Sequence, residues 1–226
     1  MKFIDSFASV RGSEHIRNNI PNQDACFSKY DGNIIVLTVA DGLGSREKSH
    51  HGSAIIGETV YYSFKKWIEN GSIYLNKLIS LIIQNWESKF NNPNEYATTC
   101  LFTVIYKNKI YVGQIGDGIL SYIINDTVHI LIKPNKEFAN VTNSIANSLV
   151  NDWVVRSIDL NANDKIAILM ATDGIADTLL TDKIGSFVNY MITNINKDIE
   201  YRNNFLEKLA SEWESIDDKT ISLIYN

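Results

Sequence analysis

Five aspartates stand where an apolar run begins or ends. Asp24 opens DACFSKY, Asp41 closes IIVLTVAD, and Asp117 follows VGQIG. Asp173 follows AILMAT, and Asp217 stands just before the run TISLIY. Asp41, Asp117 and Asp173 are each followed by glycine. If the flanking strands share one sandwich, these acids converge at one end of it. Carboxylates crowded into one cleft repel each other and hold their protons to higher pH. Divalent cations remove that conflict. Oxygen-only ligands favour hard ions, Mg²⁺ or Mn²⁺, over zinc. Two such ions sharing a carboxylate can generate a hydroxide and clamp an in-line displacement at phosphorus.

Two plainer accounts fit the same residues. Asp-Gly is a hairpin turn signal. That account is strongest at Asp117, where GDGILSYII runs straight into another strand. Aspartate also caps helix N-termini, and both Asp41 and Asp173 lead into helical patterns. A calcium-stabilised structural domain is compatible with the acids as well.

Other chemistries find no footing. The chain lacks a G-x-S-x-G elbow, a phosphate loop ending in Gly-Lys-Ser/Thr, and an H-E-x-x-H pair. His50 and His51 are adjacent, so they are expected to point to different sides of an exposed helix start. His129 is expected to be a sheet residue. Cys26 and Cys100 have no metal-type spacing. They read as two packed thiols in a reducing cytoplasm.

The elements that must position the acids follow from periodicity. Strand patterns cover residues 3–11, 24–30 and 33–40, with Asp31-Gly32 as a hairpin turn between the last two. Over residues 49–70, Ile56, Val60, Phe64, Trp67 and Ile68 recur at helical spacing. Gly71 stops that helix, and Ser72 is expected to cap a second one carrying Leu75, Leu78, Ile79, Ile82, Trp86 and Phe90. Strands resume at 98–106, 109–115, 120–124 and 128–132. Residues 133–163 are polar with weak periodicity and read as loop-rich. A buried-type strand at 165–172 follows, then helical patterns through Ile184, Val188, Met191, Ile195 and through Phe205, Leu206, Leu209, Trp213, and a last strand at 220–225. Strand blocks with paired helices between them argue α+β rather than alternating units. Two antiparallel sheets, each covered by a helix pair, use every apolar face.

The chain has 226 residues, of which 45% are hydrophobic, consistent with one domain. No apolar run approaches the roughly 20 residues that span a bilayer. The opening MKFIDSFASV lacks a basic region before an apolar stretch, so it is expected to be a strand rather than a signal peptide. Net charge is -5, and the scattered Lys and Arg give no nucleic-acid footprint.

The ordered motifs NQDA (22–25), VADGLGS (39–45), ATTC (97–100), IGDG (115–118), ATDGIAD (171–177) and DDKT (217–220) resemble the metal-dependent serine/threonine protein phosphatases of the 2C type. GSEHIRNNIPNQDA (12–25) and KEFANVT (136–142) resemble a bacterial branch of them. The resemblance implies a four-layer α-β-β-α sandwich over residues 1–226, with a flap-like segment at about 133–163. It implies that Asp41 bridges two ions of Mg²⁺ or Mn²⁺, with the Gly42 carbonyl as a further ligand. Asp24 would help hold one ion, Asp173 and Asp217 the other, and Asp117 with Asp173 a third, weaker one. Asp218 stands where the family usually has Asn, so Asp217 against Asp218 rests on alignment to Thr220. The implied reaction is hydrolysis of phosphoserine and phosphothreonine in proteins by a metal-bridging hydroxide. Asp41 and Asp173 would act through metal-bound water, with no phosphoenzyme.

The implied partners are a phosphorylated protein and a cognate serine/threonine kinase in bacterial, cytoplasmic signalling, with no nucleic acid and no membrane. Two family features are altered. Leu43 stands where some members carry a His suited to protonating the leaving group, a His that bacterial relatives often lack, and for the usual phosphate-binding Arg the nearest candidate is Arg17, with His15 and Arg46 as alternatives. A weakly active or inactive module that binds a phosphoprotein or regulator is therefore the alternative.

Overall fold

The protein is described by a computed structural model covering residues 1–131, 143–195 and 198–226. In chain order it contains β1 (Ile4–Val10), α1 (Ser13–Arg17), β2 (Asp24–Tyr30), β3 (Ile34–Asp41), α2 (Ser49–Glu69), α3 (Leu75–Glu87), β4 (Cys100–Tyr106) and β5 (Lys109–Ile115). There follow β6 (Ile119–Ile124), β7 (Thr127–Ile130), β8 (Val154–Asp159), β9 (Ile166–Ala171), α4 (Asp173–Ala176), α5 (Ile184–Ile195), α6 (Ile199–Glu212) and β10 (Lys219–Tyr225). Two five-stranded sheets result, ordered β2-β3-β4-β5-β8 and β1-β10-β9-β6-β7, and every neighbouring pair is antiparallel.

The strand interiors read as unbroken apolar runs because both faces of each sheet are covered. Along β3, Ile34, Val36 and Ala40 pack with Ile56, Val60 and Phe64 of α2 and with Leu78 and Ile82 of α3. The alternate residues, Leu37 and Val39, point into the space between the sheets, against Leu120, Ile168 and Met170. On β9 the same alternation sends Ala167, Leu169 and Ala171 toward α5 and α6, where Val188, Met191 and Leu206 wait. The layers therefore run helices, sheet, sheet, helices, as expected. Each fully buried Leu, Ile or Val contributes about 1.5–3 kcal/mol, so three stacked interfaces hold the frame rigid.

Local chemistry accounts for several boundaries. Gly32 turns β2 into β3 at φ +94, with the Asp31 carboxylate accepting from the backbone of Asn33 and Ile34. Gly71 ends the α2 region at φ +63. The residue before α3 is Tyr74 rather than Ser72, and it makes no side-chain cap. Hydrophobic packing of Leu78, Ile79, Ile82 and Trp86 holds α3 instead. His50 and His51 do not diverge. Their ring centroids lie 3.9 Å apart in the first turn of α2, because consecutive helical residues are only about 100° apart.

The loop-rich reading of 133–163 is corrected at β8, which pairs with β5 from Gln114↔Val154 to Lys109↔Asp159. This edge strand exposes Arg156, Ser157 and Asp159, and its weak apolar signal reflects that solvated face. The segment expected to be flap-like thus contains β8 in its C-terminal part. Residues 132–142, which include KEFANVT, lie outside the described residues.

Antiparallel pairing explains the placement of the acids. Asp24 begins β2 opposite Asp41, which ends β3. Asp117 lies in the link from β5 to β6, Asp173 follows β9, and Asp217 precedes β10. All five therefore sit at one end of the sandwich.

Candidate metal centre

Asp41, Asp117 and Asp173 each offer a carboxylate oxygen, and these three atoms lie within 4.8 Å of one another. They come from three separate connections, so the frame and not local sequence brings them together. The half-buried backbone of Asp41 is fixed from β4's side. Its N–H donates to Thr99 Oγ1 at 2.8 Å, and its carbonyl accepts from Thr99 N at 2.7 Å and Thr98 Oγ1 at 2.9 Å. The ATTC motif thus acts as a clamp on Asp41. Gly42 donates to the Gln23 carbonyl at 3.0 Å, and a Cβ there would meet that oxygen and Ser49 at 2.8 Å. Only glycine lets the chain turn this close.

Asp24 lies behind, buried. Its Oδ2 accepts from Thr172 Oγ1 at 2.7 Å. Thr172 also joins β9 to β10, accepting at Oγ1 from Thr220 N at 3.0 Å and donating its own N–H to the Thr220 carbonyl at 3.0 Å. One threonine side chain therefore ties the Asp24 carboxylate to the second sheet.

The electrostatics are those of crowded acids. Burial, opposed by hydrogen bonds from Thr172 and Thr220 and aided by the Asp218 charge, pushes Asp24 up to about 7. Burial and then the charges of Asp24, Asp173 and Asp217 raise Asp41 well above the ordinary carboxylate range. Burial and the charges of Asp117 and Asp217 raise Asp173 to about 6. Protons held this strongly by an all-oxygen donor set mark a place that fits a hard divalent cation.

Asp217 and Asp218 part company. Asp217 is exposed and lines an open cleft of about 670 Å³ with Asp41, Gly42 and Asp173. Asp218 is 2% exposed and turned inward. Its Oδ1 accepts from Gly12 N at 2.6 Å, and its Oδ2 lies 2.6 Å from Gln23 N and 2.8 Å from His15 Nδ1. Among the phosphate candidates, His15 and Arg46 line the cleft, as does Leu43. Arg17 does not; it is exposed at the C-terminal end of α1. Asp117 borders an adjoining cavity of about 390 Å³ with Leu131 and Asp152. Sequence reasoning missed Thr99, Thr172 and Asp218 as supports. Local sequence held little signal for them: Thr99 stands 58 positions from Asp41, and Thr172 stands 148 from Asp24.

Comparison with known proteins adds relatives to this geometry. A family model for protein phosphatase 2C matches residues 11–211. Serine/threonine-protein phosphatase 3 of Escherichia coli (strain K12) is 24% identical over an alignment of 245 residues, covering 96% of each chain. Among solved structures, the S. agalactiae serine/threonine phosphatase superposes with a TM-score of 0.66 at 18% identity, covering 99% of both chains. The catalytic domain of the phosphatase PstP, in complex with two manganese ions, does so with a TM-score of 0.67 at 13% identity, covering 99% of this chain and 97% of that one.

Proposed function

The chain belongs to the protein phosphatase 2C family, and on that premise we propose that it hydrolyses phosphoserine and phosphothreonine in proteins at the acidic end of its sandwich. The observation that carries this reading is the convergence of Asp41, Asp117 and Asp173 oxygens within 4.8 Å. Asp24, Asp41, the Gly42 carbonyl, Asp173 and Asp217 would hold two ions of Mg²⁺ or Mn²⁺, and Asp117 with Asp173 would hold a third, weaker one.

Four aspartates, Asp24, Asp41, Asp173 and Asp217, balance the charge of two divalent ions. Bound there, such ions supply a water that ionises near neutral pH and positive charge at the phosphoryl oxygens. The chain's own part is positional. Thr98 and Thr99 fix Asp41, Thr172 fixes Asp24, and the rigid strand ends keep the acids in place without a substrate. Arg46, on the cleft rim, is assigned to the phosphate dianion.

A weakly active or inactive binding module is not favoured, because the acid set is retained at the cleft end. Among the described residues no helix is long and apolar enough to cross a membrane, and both cysteines are free. The partners proposed with this reading are a phosphoprotein substrate and an opposing serine/threonine kinase in the cytoplasm. The test is phosphate release from a phosphoserine peptide and from p-nitrophenyl phosphate, with and without Mn²⁺. Manganese-dependent release is expected from both. Rates equal to buffer at saturating Mn²⁺ overturn the reading.

A further inference from the structure

The cleft has lost one proton donor, since Leu43 occupies its wall beside Asp41 and Gly42. It holds another. His15 lines the same cleft, with its side chain 14% exposed. Its Nδ1 lies 2.8 Å from Asp218 Oδ2. The Asp218 carboxylate already accepts from two backbone N–H groups, Gly12 and Gln23, each at 2.6 Å. A carboxylate so placed is an acceptor, so Nδ1 carries the hydrogen. Nε2, on the opposite edge of the ring, makes no hydrogen bond among the described residues. A buried carboxylate fixing the tautomer of an imidazole that lines a reaction cleft is the arrangement that serves proton transfer in triads.

Resting on the phosphatase reading above, we propose that His15, held by Asp218, is the general acid that protonates the leaving seryl or threonyl oxygen. In the imidazolium form Nδ1–H stays on Asp218 and Nε2–H points to the cleft. Glu14, Asp41, Asp173 and Asp217 share that cleft with the single guanidinium of Arg46. As hydroxide derived from water bonds to phosphorus, the ester P–O bond breaks and its electron pair stays on the alcohol oxygen. The Nε2 proton moves to that oxygen, giving the free alcohol and a neutral ring. The proton lost when the water ionised restores the imidazolium through solvent. His15 sits at sequence distance from the lost position, but in the same cleft, and so replaces its chemistry without its motif.

The test compares leaving groups. An alkoxide needs the proton, whereas nitrophenolate leaves without one. His15→Asn keeps a donor to Asp218 but has no transferable proton. It is expected to lower kcat on the phosphoserine peptide by ~10²-fold or more, and on p-nitrophenyl phosphate by no more than about fivefold. An equal loss on both esters, or full rescue by Asn of a defect seen in His15→Ala, assigns His15 to phosphate holding or to structure and overturns the proposal. No loss on either ester overturns it too. Nitrogen-15 spectra of the wild-type metal-free protein give a readout without activity and without a variant: Nδ1 is expected to be protonated, and an Nε2–H tautomer overturns the proposal. Wild-type protein that cleaves neither ester removes the phosphatase reading itself, and this inference with it.

Discussion

Asp24 and Asp41 are register partners across β2 and β3, and burial, then the charge of Asp24, help hold the Asp41 carboxyl above its ordinary range. Directly opposed residues on antiparallel strands point to the same face, so the pairing of two strands sets two acids side by side. Neither can ionise without opposing the other. The frame is therefore strained electrostatically at the point where it is stiffest.

That strain sets how stability varies with pH. An unfolded aspartate titrates near 3.8, while folded Asp24 titrates at about 7 and Asp173 at about 6. Between these values the folded chain holds protons that the unfolded chain has lost. The stabilisation is complete below about pH 4 and is lost as pH rises through 6 and 7. Stability in EDTA should thus fall from pH 5 to pH 8 by on the order of a few kcal/mol, read as a lower melting temperature. Mn²⁺ should reverse the fall, and Asp24→Asn should flatten it. A melting temperature that rises over the same interval in EDTA contradicts the electrostatic account.

Asp41→Asn and Asp173→Asn test the centre itself. Each removes a charge at the converging oxygens and leaves the backbone bonds from Thr98 and Thr99 in place. Far-ultraviolet dichroism should be unchanged. Outer supports of metal sites typically cost about 10–100-fold in affinity, so direct ligands should cost more, and phosphate release should fall to the buffer rate. Wild-type manganese affinity in both variants, measured by calorimetry, would show the ligands lie elsewhere.

The fold was legible because burial on both sides of each sheet leaves long apolar runs and because both helix pairs keep a clear 3.6-residue period. β8 was not, since an edge strand with Arg156 and Asp159 in solvent carries little apolar signal. Five acids at strand ends were legible as a set, and antiparallel pairing explains why: alternate strand ends must meet. What chain order hides is direction. Nothing in the pair Asp217-Asp218 says which carboxylate faces the cleft, and nothing local says that Arg46 lines it while Arg17, ending α1, does not. The link from His15 to Asp218 spans 203 positions and has no local signature at all.

The two neighbouring aspartates should separate cleanly. Asp217→Asn alters an exposed group in the cleft, so manganese affinity should drop with little change in melting temperature. Asp218→Asn puts an amide where a carboxylate accepted from Gly12 N and Gln23 N. One buried N–H then loses its acceptor, at a cost of about 1–3 kcal/mol. Thermal unfolding and a manganese titration on both variants decide the matter. The reverse pattern, with Asp217→Asn unstable and Asp218→Asn metal-deficient but stable, would exchange their roles.

The packing around that pair makes a last prediction. A Cβ on Gly174 would sit 2.0 Å from the Asp218 carbonyl oxygen. No flexible side-chain end can yield there, so Gly174→Ala must push α4, and Asp173 with it, away from the strand that follows Asp217. Overpacking of this kind costs about 1–3 kcal/mol. Gly32→Ala is the matched control. It strains a turn at φ +94 in open space, at the far end of β2 and β3 from the acids, for about 1–2 kcal/mol. Both variants should lose comparable stability, but only Gly174→Ala should lose manganese affinity, because only there does the backbone shift separate two carboxylates. Equal manganese affinity in the two variants would mean that the 173–174 and 217–218 segments do not set the distance between the acids.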